Sequence, residues 1–583
     1  MDQRLIVAFS QGYERMSAWS DLLDAINLYP VADSDTGRNL RLSLAPLKSV
    51  HRNDVPGHLL MSAIGNSGNI AGAFFGEFTR IMKISDLPEG AATGRNAAWK
   101  ALRDPKPGTM LSVFDAIVDA LDQNHLKLNG ILNGIYDETF TLEPIVKPIM
   151  DSVLSTSEVL VELRDANVVD SGALGMFLFF EGFFKSLFND LNSLNNPYDL
   201  FGDKLRLSNP AATSTNQPAF CIDTVLVPSV GMDNAVQKLS VIGEHVVTVS
   251  DGRHLKVHLH APDEESARTN LAEVGSMLKW HSEKIENRKD NPDQGQITCE
   301  SVHIMTDAAG SLTTDVARQL GITLLDSYVM LDQGLLPESS VSPGILYAAM
   351  SRGVKATTCQ ASVFERHQRY ECLAQRFSNI VYLCVGSAYT GNYETAKLWA
   401  EHNQNGRCMT VIDTGAASGR LGLIARNVAQ FANSGHGLSQ VVEYAAKLSR
   451  ECDELIFLDQ LKFLAAGGRI SKTSRFVGDL LSIKPVIRPG RQGAQKIGVV
   501  KNQKAQLVFL LDYLGKRIEA SSPAEFLLQY TDNQDRVVSQ IQPKIQRLLP
   551  NSRISVQPMS VTSGVHMGPG TWAVAFLCGS SVK

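Results

Sequence analysis

The sequence has no excess of charge of either sign and few cysteines for its length. Its 583 residues include 55 Lys and Arg against 60 Asp and Glu. A nucleic-acid-binding protein usually carries a basic surplus, so this balance argues against nucleic acid as a partner. The 8 cysteines include no CxxC pair. In a reducing compartment, most such side chains are expected to be buried and apolar.

The sequence also lacks a long hydrophobic run and a P-loop. The most apolar stretch, residues 175–184, is too short to span a bilayer and contains Glu181. The first residues carry acidic and polar side chains where a signal peptide would need an unbroken apolar region. We therefore expect a cytoplasmic protein with at most transient membrane contact. The absence of GxxxxGK[ST] excludes a P-loop enzyme.

The chain is too long for one hydrophobic core, so several domains are expected. Helical periodicity dominates residues 1–192, and a linker rich in Asn, Pro, Ser and Thr follows over 193–219. Residues 220–286 read as a small α+β domain. A further module is expected over 300–583. From residue 301, the short apolar strand segments 301–307, 322–331, 379–386 and 407–414 alternate with helices, which is the rhythm of a parallel α/β sheet. The predicted fold class is thus multidomain, α and α/β.

Two acidic residues in the N-terminal region suggest a metal site. In NLYPVADSDTGRNL, residues 27–40, Asp33 and Asp35 precede a predicted helix. Mg²⁺ prefers oxygen ligands, and two carboxylates at a turn can hold it against nucleotide phosphates. The alternative is an ordinary capped helix start, in which an Asp or Thr side chain accepts backbone N–H bonds.

A second N-terminal segment suggests phosphate binding. AIGNSGNIAG, residues 63–72, is a turn of small residues followed by a helix. Backbone N–H groups at such a helix start can approach a phosphate closely. Alone this signal is weak, because Gly-Asn-Ser-Gly turns are common.

Four segments in order resemble the nucleotide-binding L-subunit (DhaL) domain of bacterial dihydroxyacetone kinases. They resemble its relative in bacterial fatty-acid kinases more closely. The segments are INLYPVADSDTGRNL, AIGNSGNI, PKPGTML and NVVDSGALG. The resemblance implies an all-helical bundle that uses ATP and Mg²⁺.

The same resemblance implies roles for individual residues. The implied Mg²⁺ ligands are Asn27, Asp33 and Asp35, and the two carboxylates are also expected to be catalytic. The residues implied to bind the nucleotide are Thr36, Asn39, Ser67, Gly68, Thr109 and Asp170. Ser34 departs from the family, which has Gly there, and a left-handed backbone at that position would be strained.

The middle segment carries a candidate zinc site. In HLKVHLH, His258 and His260 point to the same face of a predicted strand. His254 is an even number of residues away, so it would point to that face as well. Two such His and a distant thiolate can bind Zn²⁺. The alternative is that these His side chains lie on a half-exposed strand and bind no metal. The middle domain of fatty-acid kinases has a similar Cys followed by VHVHT, which implies Cys221 as the third ligand.

The C-terminal segments resemble the DegV family from about residue 300 to the end. They are IMTDAAGSL, KATTCQAS, VGSAYTGNYETA, VIDTGAASGRLGL, LKFLAAGGRISKTSRFVGDLLSIKPVI and GVHMGPG. The resemblance implies a two-lobed α/β module that binds one fatty acid in an apolar tunnel. Its implied carboxylate contacts are Thr358, Ser387 and His566, with Arg469 close by as a further catalytic group. Cys359 replaces a polar family residue, and we expect it to pack rather than react.

Together, the resemblances imply a fatty-acid kinase that makes acyl phosphate and ADP from a fatty acid and ATP. A homodimer and an acyltransferase that uses the acyl phosphate for phospholipid metabolism are the further expected partners. Two alternatives stay open. One is a lipid-binding regulatory protein with a non-catalytic nucleotide domain. The other is a dihydroxyacetone-type small-molecule kinase.

Overall fold

A computed structural model describes residues 1–49, 54–132, 141–206, 220–239, 241–285, 301–331, 334–466 and 484–578. The chain divides into two compact units, Met1–Asp290 and Asn291–Lys583. In the described residues, no helix is both long and apolar enough to cross a membrane.

The first unit begins with a helical domain, as the periodicity predicts. Its helices are α1 (Gln3–Ala18), α2 (Ser20–Ala25), α3 (Thr36–Ser43), α4 (Val55–Ser62), α5 (Gly65–Phe78), α6 (Leu87–Ala101), α7 (Met110–Leu132), α8 (Glu143–Val159), α9 (Val161–Ala166), α10 (Ser171–Leu187) and α11 (Pro197–Phe201). The prediction of an all-helical N-terminal region is confirmed for the described residues.

The apolar run at 175–184 forms the centre of this helical domain. Helix α10 is buried along its whole length and packs against α1. Phe74 of α5 stacks on Phe114 of α7 with ring centroids 4.1 Å apart. Glu181, the one charge in the run, forms a 2.7 Å ion pair with Arg15 of α1, and both side chains are buried. The run is therefore a buried core helix whose single charge is paired.

A small α+β domain completes the first unit. Its elements are β1 (Phe220–Pro228), α12 (Met232–Leu239), β2 (Glu244–Ser250), β3 (Leu255–Ala261), α13 (Glu264–Val274) and β4 (Gly275–Lys284). The described strands form an antiparallel sheet in the order β2-β3-β1-β4. One part of this sheet packs against α5 of the helical domain. The register of β1 on β3 places Cys221 opposite His260 and Asp223 opposite His258.

The second unit contains alternating strands and helices. They are β5 (His303–Asp307), α14 (Thr314–Gln319), β6 (Ile322–Leu325), β7 (Ser327–Leu331), β8 (Gly334–Pro337), α15 (Pro343–Ser351), β9 (Thr357–Gln360), α16 (Val363–Arg376), β10 (Ile380–Cys384), α17 (Asn392–His402), β11 (Met409–Asp413), α18 (Ser418–Asn433), α19 (Leu438–Glu451), β12 (Asp453–Phe457), α20 (Lys462–Ala466), β13 (Lys484–Gly490), β14 (Gly493–Val500), α21 (Gln503–Gly515), β15 (Ala524–Tyr530), α22 (Gln534–Arg536), α23 (Gln542–Leu548), β16 (Ser552–Pro558), α24 (Val561–Met567) and β17 (Trp572–Cys578).

Three sheets organise the described strands of this unit. The first is parallel, in the order β11-β10-β5-β6. The second has the order β14-β13-β12-β17-β15-β16 and is antiparallel except for the β15–β16 pair. The third is the small antiparallel sheet β8-β7-β9. The α/β class is confirmed. The parallel sheet predicted from the strand segments between residues 301 and 414 is also confirmed, because these segments contain β5, β6, β10 and β11, whereas the later strands pair mainly antiparallel.

Candidate functional site

The acidic loop of the first unit is held by Asn27, which follows α2. Asn27 Nδ2 donates to Asp33 Oδ1 at 2.7 Å and to the Val31 carbonyl oxygen at 3.2 Å. Asn27 Oδ1 accepts from Thr36 Oγ1 at 2.7 Å and from Ser171 Oγ at 3.2 Å. Both lone pairs of the Asn27 oxygen are therefore used by hydroxyl groups. This geometry favours Asn27 as a support for Asp33 over direct metal coordination.

The start of α3 is capped by a residue that the sequence did not single out. Asp24 Oδ1 accepts from the Gly37 and Arg38 backbone N–H groups at 2.7 and 3.1 Å. Asp35 occupies the N-cap position of α3, yet its side chain makes no cap bond in the described residues. The alternative of an ordinary capped helix start therefore does not explain Asp33 and Asp35.

The carboxyl groups of this loop are half-buried and lie close to other acidic groups. Burial, followed by the charge of Asp35, raises the pKa of Asp33 well above its usual value. Burial also raises the pKa of Asp35. For Asp24, burial and then the charge of Asp21 raise the pKa to about 7. Buried carboxylates normally pair with cations or bind metals, so these oxygens fit a divalent cation by their chemistry.

The backbone of the acidic loop explains the departure at Ser34. Ser34 has φ +59°, in the left-handed region that favours Gly. Asp33 and Asp35 flank this residue, and their side chains are joined by a hydrogen bond. The strain expected for a serine in a left-handed conformation is therefore present at Ser34.

The glycine-rich segment forms the start of α5 beside α3. Thr36 Oγ1 and Ser67 Oγ lie 3.3 Å apart. Gly65 has φ +65°, and a Cβ there would lie 2.0 Å from Asn39 Nδ2. A Cβ at Gly68 would lie 2.1 Å from the Ser43 side chain. Both glycines are thus required by the close approach of α5 to α3.

The other predicted nucleotide residues lie at two neighbouring helix starts. Asp170 caps α10 through a 2.7 Å bond from the Ala173 N–H, and burial raises its pKa to about 7. The Met110 backbone N–H also donates to Asp170, which joins the Thr109 loop to this helix start. Thr109 Oγ1 itself donates to the Lys106 carbonyl oxygen at 3.0 Å.

The strand pair of the small domain brings the three predicted zinc ligands together. The ligand atoms of Cys221, His258 and His260 all lie within 4.8 Å of one another. The Cys221 Sγ atom is 3.9 Å from His258 Nδ1. Within the described ranges, His258 Nε2 and His260 Nδ1 are buried without hydrogen-bond partners. His254 lies outside this cluster, because it pairs with Asp251 at 2.8 Å in the exposed turn between β2 and β3.

Electrostatics around this cluster favour a neutral His260 imidazole and a protonated Cys221 thiol in the absence of a cation. Burial, followed by His258, lowers the pKa of His260 to about 2. Burial, followed by Asp223, raises the pKa of the Cys221 thiol, and Asp35 and Asp33 add to that effect. A neutral imidazole at His260 and a thiol that a metal can deprotonate fit Zn²⁺. The effect of Asp33 and Asp35 also indicates that the cluster faces the acidic loop.

Asp223 is a buried residue of this region that sequence reasoning missed. Burial raises its pKa, but Lys256 and His258 outweigh burial and lower that pKa well below the usual range. The sequence carried one signal for it. Asp223 is two residues from Cys221 on β1 and therefore shares its face.

In the second unit, two of the three predicted lipid-binding residues are in direct contact. Thr358 Oγ1 and His566 Nε2 lie 2.9 Å apart. Thr358 lies within β9, and His566 lies near the end of α24. The contact joins residues that are 208 positions apart in the sequence.

Ser387 lies in the loop after β10 and has a different partner. Its Oγ donates to Asp413 Oδ2 at 2.7 Å, and its N–H donates to Asp413 Oδ1 at 3.1 Å. The same loop approaches β9, because a Cβ on Gly391 would lie 3.8 Å from the Gln360 side chain. A ligand that used the Ser387 hydroxyl as a donor would have to replace Asp413. Arg469 lies outside the described residues.

The remaining departures in this region are visible in the structure. Tyr389 exchanges hydrogen bonds of 2.9 Å with the Gly490 backbone, which fixes the loop that carries Ser387. Cys359 of β9 is exposed, so the expectation that it packs is wrong. Alternate residues of β9 face solvent, which places Cys359 on the outer side of this short strand.

The fold and these side chains define a protein of two modules. One is a helical domain with an attached α+β domain, and the other is an α/β module. Residues 30–185 match the DAK2 domain, and residues 301–578 match the DegV family of uncharacterised proteins. The chain therefore carries a match to the DAK2 domain followed by a match to the DegV family, which confirms the resemblance found in the sequence.

Several curated proteins are similar to parts of the chain. An uncharacterized protein of Staphylococcus saprophyticus is 24% identical over 306 residues, which are 48% of this chain and 54% of that protein. An uncharacterized protein of Staphylococcus aureus is 24% identical over 357 residues, 54% of this chain and 62% of that protein. A DegV domain-containing protein of Clostridium perfringens is 26% identical over 281 residues, 47% and 96% of the two chains. The matches thus span little more than half the length of the staphylococcal relatives.

Solved structures are similar to about half of the chain. A fatty-acid-binding DegV family protein from Thermus thermophilus is 23% identical with a TM-score of 0.45, covering 48% of this chain and 100% of that one. The Streptococcus pneumoniae fatty acid kinase (Fak) B3 protein, loaded with linoleic acid, is 16% identical with a TM-score of 0.42, covering the same shares.

Proposed function

We propose that this protein transfers the γ-phosphoryl group of ATP to the carboxylate of a fatty acid. The products are an acyl phosphate and ADP. The observation that carries the proposal is the half-buried pair Asp33 and Asp35 beside the start of α5, in a DAK2 domain joined to a DegV-family domain. In the transfer, a carboxylate oxygen forms a bond to the γ-phosphorus, and the bond from that phosphorus to the β-phosphate oxygen breaks.

The acidic loop is proposed to hold the metal and the nucleotide phosphates. Asp33 and Asp35 supply oxygen ligands, while Asn27 and Thr36 fix the loop through the hydrogen bonds described above. The helix start at Gly65 is proposed to receive the phosphates with backbone N–H groups. Bound Mg²⁺ would supply neutralisation of the phosphate charge during transfer.

The DegV-family domain is proposed to hold the fatty acid by its carboxylate. Thr358 and His566 place a hydroxyl and an imidazole 2.9 Å apart, and both groups can donate to a carboxylate. Ser387 is proposed as the third donor. Its hydroxyl would then donate to the fatty-acid carboxylate instead of to Asp413. Burying a carboxylate without such donors would be prohibitive.

The chemistry requires no general base. A fatty-acid carboxylate near its ordinary pKa is already ionised at neutral pH and is itself the nucleophile. The protein therefore has to align the two substrates and stabilise the charge that develops. This requirement fits an acidic, metal-binding loop better than it fits a hydroxyl-activating site.

We propose further that Cys221, His258 and His260 bind Zn²⁺. The two buried ring nitrogens without partners and the nearby thiol support a three-ligand site with an open position. The homodimer, the cytoplasmic location, transient membrane contact, an acyltransferase partner and the role of Arg469 stay predictions.

The test uses the full chain with Asp33→Asn and Asp35→Asn, which keep side-chain shape and remove the charge. We expect ADP release that depends on added fatty acid to fall on the order of a hundredfold or more in both variants. Bound fatty acid, measured by mass spectrometry after extraction, should be unchanged. Asp165→Asn is the matched control, because Asp165 is 71% exposed on the same domain.

The outcomes separate the alternatives. Turnover in both variants equal to that of the unchanged protein would remove the metal assignment. Nucleotide binding without ADP release would select the regulatory protein. ADP release that depends on dihydroxyacetone and not on fatty acid would select the small-molecule kinase.

A further inference from the structure

Asp223 is a buried carboxylate that connects two parts of the first unit. Its Oδ2 accepts from the Gly65 backbone N–H at 2.9 Å, and its Oδ1 accepts from Asn69 Nδ2 at 2.9 Å. Both donors belong to the first turn and a half of α5. On the opposite side, Lys256 Nζ lies 3.2 Å from Oδ1, and His258 Nδ1 lies 3.3 Å from Oδ2. The Asp223 side chain is 1% exposed, so these four partners satisfy it in place of water.

The contact with His258 sets which ring nitrogen can bind a metal. A carboxylate oxygen accepts, so Nδ1 of His258 donates its proton to Asp223. Nε2 then carries the free lone pair, and it is buried without a partner in the described part of the chain. Carboxylates behind metal-binding histidines commonly fix the ring in this way, and their loss typically costs 10- to 100-fold in metal affinity.

The hydrogen bond from the Gly65 N–H to Asp223 fixes the position of the first residue of α5. Gly65 is the first residue of α5 and has φ +65°. A Cβ at this position would lie 2.0 Å from Asn39 Nδ2, so the segment has little freedom to move toward α3. Asp223 holds the amide from the other side. A shift of the Asp223 carboxylate would therefore shift the first turn of α5.

We propose that Asp223 is a positioning residue that couples metal binding at Cys221, His258 and His260 to nucleotide binding at the start of α5. This inference rests on the proposed function for the identity of both ligands. The occupied metal site holds His258, His258 holds Asp223, and Asp223 holds the Gly65 amide in place. By reciprocity, bound nucleotide strengthens metal binding by the same factor.

The experiment measures binding to the full chain rather than turnover, so its result does not depend on kinase activity. The protein is freed of metal, supplied with Mg²⁺, and titrated with ADP by calorimetry with and without one equivalent of Zn²⁺. We expect Zn²⁺ to tighten ADP binding about tenfold, within the usual range for coupled sites. In Asp223→Asn, Zn²⁺ should bind 10- to 100-fold more weakly, and saturating Zn²⁺ should leave the Kd for ADP unchanged.

Two further variants distinguish coupling from damage to the fold. Asp251→Asn is the matched control, because Asp251 pairs with His254 in an exposed turn of the same sheet. It should behave like the unchanged protein. Asn69→Ala removes one contact between Asp223 and α5 and touches no metal ligand. It should keep its Zn²⁺ affinity and lose part of the coupling, because the Gly65 N–H bond to Asp223 remains. This variant keeps the test decisive if Asp223→Asn does not fold.

Cobalt gives a spectroscopic readout that a purely structural role would not change. With Co²⁺ in place of Zn²⁺, adding ADP should alter the visible absorption of the unchanged protein and of Asp251→Asn. The spectrum of Asp223→Asn should not respond. The proposal is overturned if the unchanged protein binds no stoichiometric Zn²⁺, if Zn²⁺ leaves its ADP affinity unchanged, or if Asp223→Asn and Asn69→Ala both retain the full coupling.

Discussion

Replacing Glu338 by Gln should stabilise the second unit at alkaline pH and leave it unchanged at acidic pH. Glu338 is 5% exposed and follows β8. Its Oε1 accepts from the Thr562 N–H and its Oε2 accepts from Thr562 Oγ1, both at 2.8 Å. These bonds hold the start of α24, the helix that carries His566. Burial raises the pKa of Glu338 to about 7, although both bonds from Thr562 oppose that shift.

The sign of the pH effect follows from this raised pKa. Below about pH 4 the group is protonated in both the folded and the unfolded chain, so it contributes no pH dependence. As the pH rises, the unfolded chain ionises first, and the free energy of unfolding decreases until about pH 7. The difference between 4.5 and about 7 corresponds to about 3 kcal/mol as an upper limit, at about 1.4 kcal/mol for each pKa unit.

Glutamine reproduces the protonated form at every pH. Its oxygen can accept from the Thr562 N–H, and its amide can donate to Thr562 Oγ1. Glu338→Gln should therefore unfold up to about 6 °C higher than the unchanged protein at pH 8, by the usual scaling for large domains. At pH 4 the two should agree within about 1 °C.

Scanning calorimetry of the full chain at several pH values measures this difference. Glu519→Gln is the matched control, because Glu519 is exposed in the same unit, and it should show no difference that depends on pH. An equal or lower unfolding temperature for Glu338→Gln at pH 8 would show that the ionised carboxylate is the favoured form. The account of Glu338 would then be wrong.

Two further predictions concern the proposed binding sites. Ser34→Gly should bind MgADP within about threefold of the unchanged protein, whereas the β-branched Ser34→Val should bind at least tenfold more weakly and be destabilised by about 1–2 kcal/mol, because φ is +59° there. Calorimetric titration and thermal unfolding measure both, and equal behaviour of the two variants would refute the backbone argument. Thr358→Val should bind a long-chain fatty acid about tenfold more weakly and the matching alcohol almost equally, because only the acid loses a charge-assisted bond. Displacement of a fluorescent lipid measures this, and equal weakening for acid and alcohol would mean that the carboxylate lies elsewhere.

Much of the N-terminal site could be predicted because its residues are close in sequence. Asp33, Ser34, Asp35 and Thr36 form one loop, and their order carried both the metal hypothesis and the expected strain. Asp24 was missed because its role depends on the angle between α2 and α3, which places its carboxylate over the first N–H groups of α3. No local pattern encodes that contact.

Residues two apart on a strand point to the same face, and this rule predicted part of the candidate zinc site in the small domain. It placed His258 and His260 on one face, and the register of β1 on β3 brought Cys221 to them. The same rule includes His254, but this residue precedes β3 and pairs with Asp251 instead. By this rule, Asp223 points to the same face as Cys221. Its contact with the Gly65 N–H depends on the packing of α5 against the sheet, which the rule does not describe.

The sequence predicted the parallel direction of the first sheet in the second unit, but not the antiparallel pairing in the second sheet. Alternating strands and helices indicate a parallel sheet when each helix is a crossover between neighbouring strands. Here β12 pairs with β17, more than a hundred residues later, and the two strands are antiparallel. The contact between Thr358 and His566 is equally remote in sequence. Hydrophobic periodicity identifies strands, whereas the pairing partner depends on the whole fold.

The central claim is that one chain makes acyl phosphate from a fatty acid and ATP. The most direct measurement incubates the full chain with ATP, Mg²⁺ and a long-chain fatty acid, and traps the product with hydroxylamine. Mass spectrometry should find the acyl hydroxamate in an amount equal to the ADP released, and it should be lost in Asp33→Asn. ADP release without any acyl hydroxamate, or hydroxamate formed equally by Asp33→Asn, would contradict the account.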